Sequence, residues 1–358
     1  MLINLTDIDT TEFNVKLGEF CGEECYLVTP ALQGTTWSAQ NAIFRSSIWD
    51  KKGKLVSAGL KRFTNWGESP DEFPIPESLN NTNLFLKLDG SLAIVNFYNS
   101  RFNIRTRGTF CVDNTITNWR EFHDAINKYP KIKGFLAQFA HLTLVFEHTS
   151  PQNQIIIRYP EVNVTLLNVI DNRNYTYWRQ GSVSELAALL AVPRPKQFHF
   201  NTVDDILATV KEWDGEEGVC LYSDKDQKIH KIKANLYLKK HAFRSNLSLK
   251  NILELFLDQN QPTKTDFLNY IETTFDFESR GWTEPFADQI DDVRNKINET
   301  LDIVKSFVNS HKSLPRKEFA MKAKKNMGEI AALCFAKLDG KELDRKMVTK
   351  LYYSKLEL

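Results

Sequence analysis

The stretch Phe85-Leu86-Lys87-Leu88-Asp89-Gly90-Ser91-Leu92-Ala93-Ile94-Val95 sets a lysine, an aspartate and a glycine in K-x-D-G spacing at a strand-to-turn junction. An amine held beside a carboxylate and a tight turn is a candidate covalent nucleophile toward a nucleotide phosphate. Four letters alone are weak: at average composition a random chain of this length shows them roughly one time in ten. The chain carries a second copy, Lys337-Leu338-Asp339-Gly340. That copy follows a helical run, and its glycine reads as a helix C-cap. The copy at Lys87 is accompanied by other charged groups in strand-like surroundings. They are Ile104-Arg105-Thr106-Arg107-Gly108, Leu144-Val145-Phe146-Glu147, Glu216-Glu217-Gly218-Val219 and His230-Lys231-Ile232-Lys233, where two lysines share a strand face. Upstream lie Ala42-Ile43-Phe44-Arg45 and Leu60-Lys61-Arg62-Phe63-Thr64-Asn65-Trp66.

The elements that must position these groups follow from the apolar pattern. Residues 84–98, 103–110, 141–147, 154–159, 162–170 and 218–223 read as short strands, rich in β-branched and aromatic residues. Residues 118–129, 182–190 and 203–213 read as helices, the last with Asn201 or Thr202 near its cap. After about residue 245 the apolar residues recur at three- and four-residue spacing over 247–256, 264–275, 285–310 and 316–338. The fold class is α+β: a domain of antiparallel sheets with helices over 1–243, then an all-helical domain over 244–358.

With 358 residues, 42% hydrophobic and 25% charged, the chain is long enough for two ordinary cores. Five cysteines fit a reducing compartment better than a disulfide scaffold. Cys21 and Cys25 lack a second Cys or His pair to complete a zinc site. The first nine residues lack a signal-peptide pattern, and no segment approaches the ~20 apolar residues of a membrane span. A cytoplasmic protein with no membrane partner is expected, in the host cytoplasm if viral. The net charge of +1 hides an asymmetry: residues 311–358 hold twelve Lys or Arg against six Asp or Glu. Lys322, Lys324 and Lys325 cluster, and Lys346 and Lys350 are a turn apart. Such a face is either solvated or an electrostatic footprint for a nucleic-acid backbone. His148, His199 and His230 stand in no Ser/His/Asp or Cys/His arrangement. Trp37, Trp49 and Trp66 read as packing residues, Trp66 being the best exception.

Over residues 40–240 the chain resembles the covalent nucleotidyltransferases, and more closely the phage-type RNA ligase 1 family. Lys87-Leu88-Asp89-Gly90-Ser91 is similar to motif I, Phe146-Glu147 to motif III, Glu217-Gly218-Val219 to motif IV and Lys231-Ile232-Lys233 to motif V. The Lys/Arg-Phe-x-Asn and Arg-Gly-Thr-Phe segments and Ser150-Pro151-Gln152-Asn153-Gln154-Ile155 are similar as well. The resemblance implies a nucleotidyltransferase, ATP-grasp-like adenylation domain, with the helical domain serving RNA specificity. It implies an ATP-dependent RNA ligase acting through lysyl-AMP and RNA-adenylate, in tRNA or RNA repair beside an end-healing kinase/phosphatase.

In that reading Lys87 is the nucleophile, and Lys231 and Lys233 hold the triphosphate. Arg45, one of Lys61 or Arg62, and Arg107 serve the phosphates. Gly90 lets the backbone approach the nucleotide. Asp89, Glu147 and Glu217 hold Mg²⁺, with Mn²⁺ as a substitute, largely through water. A metal and cationic neighbours are expected to lower the proton affinity of Lys87. Leu167 and Val219 are expected to cover the adenine. Another superfamily member (DNA ligase or guanylyltransferase) is the enzymatic alternative. A non-catalytic RNA-binding protein on a ligase scaffold is the other.

Overall fold

The computed structural model describes residues 1–31, 35–76, 78–112, 117–259, 263–275, 277–343 and 347–349. Lys346 and Lys350 lie outside them. The chain forms two compact units, Met1–Leu238 and Lys239–Leu358.

The first unit opens with an antiparallel meander of β1 (Phe13–Phe20), β2 (Glu23–Pro30), β3 (Ser47–Asp50) and β4 (Leu55–Ala58). Next come β5 (Thr64–Asn65), β6 (Thr82–Leu86), β7 (Ser91–Tyr98) and β8 (Arg101–Arg105). Helices α1 (Thr117–Asn127) and α2 (Lys131–Gln138) precede β9 (Leu142–Thr149), β10 (Asn163–Asp171) and β11 (Thr176–Tyr177). Then follow α3 (Gln180–Leu190), β12 (Gln197–Phe198), α4 (Val203–Lys211), β13 (Gly218–Ser223), β14 (Lys228–Lys233) and α5 (Asn235–Ser245). The second sheet has the order β11-β10-β9-β7-β8 and the third β12-β6-β13-β14-β5. Their pairings are antiparallel except β14 with β5.

Strand alternation sorts the side chains. On β9, Leu144 and Phe146 join α1, α2 and α3 in one core, through Phe122, Ile126, Leu136, Val183 and Leu186. On β13, Val219 and Leu221 pack with Ile206 and Val210 of α4. The opposite faces meet in a third core, where Val145, Leu167, Phe85, Cys220, Tyr222 and Ile229 pack together. Glu147, Lys231 and Lys233 share the strand phase of this inner face. Helix α4 begins with a capping box: the Thr202 hydroxyl accepts from the Asp205 amide, and the Asp205 carboxylate accepts from the Thr202 amide.

The second unit is helical. Helices α6 (Leu249–Gln259), α7 (Lys264–Thr274), α8 (Phe277–His311), α9 (Arg316–Met327) and α10 (Ala331–Leu338) bury Leu253, Phe256, Phe267, Ile297, Phe319 and Cys334. The α+β sheets and the helical C-terminal region are therefore as the apolar periodicity predicts. Several boundaries differ. Residues 154–159 form no strand; they wrap the Lys87 turn instead. The 316–338 helix is broken at Gly328, whose φ of 50° no regular helix tolerates. Pro285 lies within α8 rather than at its start. The second K-x-D-G copy closes α10, with Gly340 at φ 78°.

Candidate active site

The turn Lys87–Gly90 is where the chain leaves the third sheet and enters the second. Its two ends are pinned to different sheets. The Lys87 amide donates to the Gly218 carbonyl at 2.8 Å, and the Gly90 amide donates to Glu147 Oε1 at 3.1 Å. Two glycines make these approaches. A Cβ on Gly90 would lie 2.2 Å from the His148 carbonyl oxygen, and one on Gly218 would lie 2.1 Å from that of Ile232. Gly218 also has φ 143°, a left-handed value that disfavours other residues.

Register places Gly218 opposite Lys233, and the turn adds Lys87 on its other side. Glu217 consequently meets both amines. Lys87 Nζ donates to Oε2 at 2.6 Å, and Lys233 Nζ lies 2.9 Å from Oε1. Glu217 is only 2% exposed, its two partners 19% each. Charge-assisted bonds of this length in a dry setting are strong.

The protein's own groups favour the charged form of Lys87. Burial opposes the charge of Lys87, but Glu217, Cys220 and Glu147 outweigh it and raise its proton affinity. The amine that is lowered is Lys231. Burial, then Lys233, Arg62, Lys87 and Arg45, bring it down to about 8. Among the described residues no carboxylate lies within ion-pair distance of Lys231, and its amine sits 5.3 Å from the Phe63 ring centroid. Burial pushes Glu147 up to about 7, against the pull of Lys87. Cys220, facing the same space, is pushed up by burial to about 11.

Asp89 anchors the turn in this structure. It is 2% exposed, and both oxygens are taken. Oδ2 accepts from the amides of Ile156 and Ile157 at 2.7 and 2.8 Å, and Oδ1 from the Tyr237 hydroxyl at 2.8 Å. Its amide donates to the Tyr159 hydroxyl at 2.9 Å. Asp89 fastens the Lys87 turn to segment 154–159 and to α5. Among the described residues no three His, Cys, Asp or Glu side chains converge on a metal position. Glu147 and Glu217, both within reach of the Lys87 charge, fit an ion held by few protein oxygens.

A cleft of about 310 Å³ is lined by Pro30, Ala31, Thr35, Trp37, Arg45, Arg62 and Arg107. Arg62 pairs with Glu68 at 2.5 Å and lies 5.7 Å from the Trp37 ring centroid. Arg45 stacks on Phe63 at 4.5 Å, and its Nη1 is buried without a hydrogen-bond partner. Burial and Arg107 bring Arg45 down to about 10. Three guanidiniums, two of them with an orphaned donor (Arg45 Nη1 and Arg62 Nε), fit a polyanion. Of Lys61 and Arg62, Arg62 lines the cleft, while Lys61 lies 5.2 Å from the Tyr177 centroid and 5.4 Å from that of Tyr175. Trp37 is a wall of the cleft, not only a packing residue.

Other expectations move. Val219 belongs to the α4 side, so it cannot cover a nucleotide on the inner face. Leu167 is on the inner face, beside a β10 irregularity where Arg194 donates to its carbonyl at 2.8 Å. His148 lies on the helical side of β9, 3.3 Å from Glu121. His230 faces Trp66 and Thr64, away from Lys231. Tyr159, Tyr237 and Cys220 escaped the sequence reading; a lone tyrosine or cysteine gives no spacing signal.

No family model matches the chain. It is similar to the "Putative bifunctional polynucleotide kinase/RNA ligase" of Autographa californica nuclear polyhedrosis virus, 26% identical over 208 residues. The match covers 53% of this chain and 29% of that protein. Among solved structures, an archaeal ATP-dependent RNA ligase matches with TM-score 0.46 at 12% identity, over 84% of this chain and 77% of that one. Naegleria gruberi RNA ligase with PPi matches with TM-score 0.39 at 19% identity, over 45% of this chain and 51% of that one. A substituted form of the Naegleria enzyme was solved with ATP and Mn (TM-score 0.39, 20% identity, 45% and 52% covered). The chain spans under a third of the viral relative and about half of the Naegleria chain.

Proposed function

We propose that the chain is an ATP-dependent RNA ligase whose nucleophile is Lys87. The observation that carries this reading is one buried carboxylate, Glu217, gripping the amines of Lys87 and Lys233 beside Glu147. A polyphosphate would lie along Arg45, Arg62 and Arg107 in the cleft, with Lys231 and Lys233 toward the reacting phosphorus. These cations spread the charge that builds during transfer. Bound at Glu147 and Glu217, Mg²⁺ or Mn²⁺ would neutralise phosphate charge.

For attack, Lys87 must release its bond to Glu217 and give up its proton to solvent. The freed lone pair forms the nitrogen–phosphorus bond to the α-phosphate, and the bond to pyrophosphate breaks. The AMP then passes to a 5′-phosphate of RNA, and a 3′-hydroxyl displaces it to close the phosphodiester. The exposed Lys317, Lys322, Lys324 and Lys325 of α9 support an RNA-holding role for the helical unit. Broken RNA such as an anticodon loop is the proposed substrate, with an end-healing kinase/phosphatase as functional partner. The kinase/ligase name of the viral relative accords with that pairing.

The test is incubation with α-labelled ATP and Mg²⁺, followed by denaturing electrophoresis. Label should stay on the protein, be absent in Lys87→Ala and not appear with GTP. A Lys87→Ala protein that still joins RNA would sink the proposal.

A further inference from the structure

Strand β8 ends in a buried cation. Arg105 is 0% exposed, and among the described residues no carboxylate lies within ion-pair distance of it. All five of its N–H groups go to neutral oxygens. Nε donates to Ser57 Oγ at 2.8 Å. Nη1 donates to Ser46 Oγ at 2.8 Å and the Thr106 carbonyl at 3.1 Å. Nη2 donates to the carbonyls of Ser46 and Ser57 at 3.3 and 3.2 Å. Burying a charge without a counter-ion is strongly unfavourable, and an apolar residue would fill a strand end at less cost.

The partners indicate what the charge serves. Ser46 follows Arg45, and Thr106 precedes Arg107. The Ser46 hydroxyl also donates to the Arg107 carbonyl at 2.9 Å. One guanidinium therefore ties together the two backbone segments that present Arg45 and Arg107 to the cleft. Lysine, a point charge with three donors, could not span these five acceptors.

We propose that Arg105 is a positioning residue for polyphosphate. It splints the segments carrying Arg45 and Arg107, and the bound anion supplies the counter-charge the protein withholds. The inference rests on the polyphosphate reading of the cleft given above. Removing the splint should weaken anion binding far more than it slows the chemistry of a bound nucleotide.

The experiment uses the full chain with Arg105→Lys and Ser46→Ala. Inorganic tripolyphosphate binding is measured by calorimetry, lysyl-AMP formation against ATP concentration, and folding by thermal unfolding. Arg105→Lys should raise both the tripolyphosphate Kd and the KM for ATP by about tenfold or more. The rate at saturating ATP should stay within about threefold. Ser46→Ala, which keeps the charge and cuts one tie, should show a smaller rise in both. A folded Arg105→Lys protein with unchanged Kd and KM would overturn the proposal. If that variant does not fold, an unchanged Kd in Ser46→Ala overturns it. Arg105-dependent tripolyphosphate binding by a parent chain that forms no lysyl-AMP would sink the ligase reading and uphold the splint.

Discussion

Glu217 holds two amines at once, and its charge favours the protonated form of Lys87. Because Lys87 is held as an ammonium, lysyl-AMP formation should accelerate from pH 6 to pH 9 as the neutral amine becomes accessible. A flat profile in single-turnover labelling would refute this. Glu147 carries the opposite stress. Its proton stays on to about 7 in the fold but leaves near 4.5 in a free chain. Between those values the folded state holds more protons, so this group's contribution to stability falls as pH rises through the window. Glu147→Gln should therefore stabilise the protein at pH 8, by about 1–3 kcal/mol, with little change at pH 4.5. It should also slow adenylation by about a hundredfold or more. A lower Tm than the parent at pH 8 would contradict the argument. Lys87, Glu147, Glu217 and the Lys231/Lys233 pair stood out in the sequence because each occupies a short motif at a strand end or on a strand face. The anchoring role of Asp89 was not legible, for a physical reason. Its partners are backbone amides 67 and 68 residues away and a tyrosine 148 residues away, and amides leave no mark on a sequence. Arg105 was legible only as a strand residue, since residue type does not reveal a buried, uncompensated charge.

At the scale of elements, the Lys87–Gly90 turn does its work by belonging to two sheets. The β13–β14 ladder sets the reach of Glu217, and β9 sets that of Glu147. Gly218→Ala would force a Cβ against the Ile232 carbonyl at a left-handed φ. It should cost about 2–4 kcal/mol and displace Glu217 from its lysines. An unaltered urea midpoint would show that the ladder relaxes around the methyl group. Helices and strands with strong apolar periodicity were readable, as β13 and α4 were. Segment 154–159 was not. Its run Ile155-Ile156-Ile157 has strand propensity, yet two of its amides are spent on Asp89 instead of a neighbouring strand. The division of 316–338 was missed because Gly328 lies within an otherwise continuous helical pattern.

Across the whole molecule, the two units have separate hydrophobic cores, with residues before 239 building one set and residues from 243 onward the other. Charge divides as well. With +1 overall and +6 in residues 311–358, the preceding 310 residues carry −5. A polyanion should therefore meet repulsion from the net charge of the first part, offset locally by the arginine cleft. A fragment of residues 1–245, retaining all of α5, should form lysyl-AMP yet join RNA strands poorly. Full joining by the fragment would remove the helical unit from the proposed RNA-holding role. Among the described residues no helix is long and apolar enough to cross a membrane.

The Lys87–Glu217 bond has one more consequence. Reactive lysines in cells are exposed to acyl phosphates, thioesters and cyanate, all of which modify only the neutral amine. At rest Lys87 is paired, 19% exposed and charged, so it is a poor target for such adventitious acylation. The same grip shields Lys87 from chemical ageing, and under the proposed ligase reading it reserves the amine for a nucleotide that loosens Glu217.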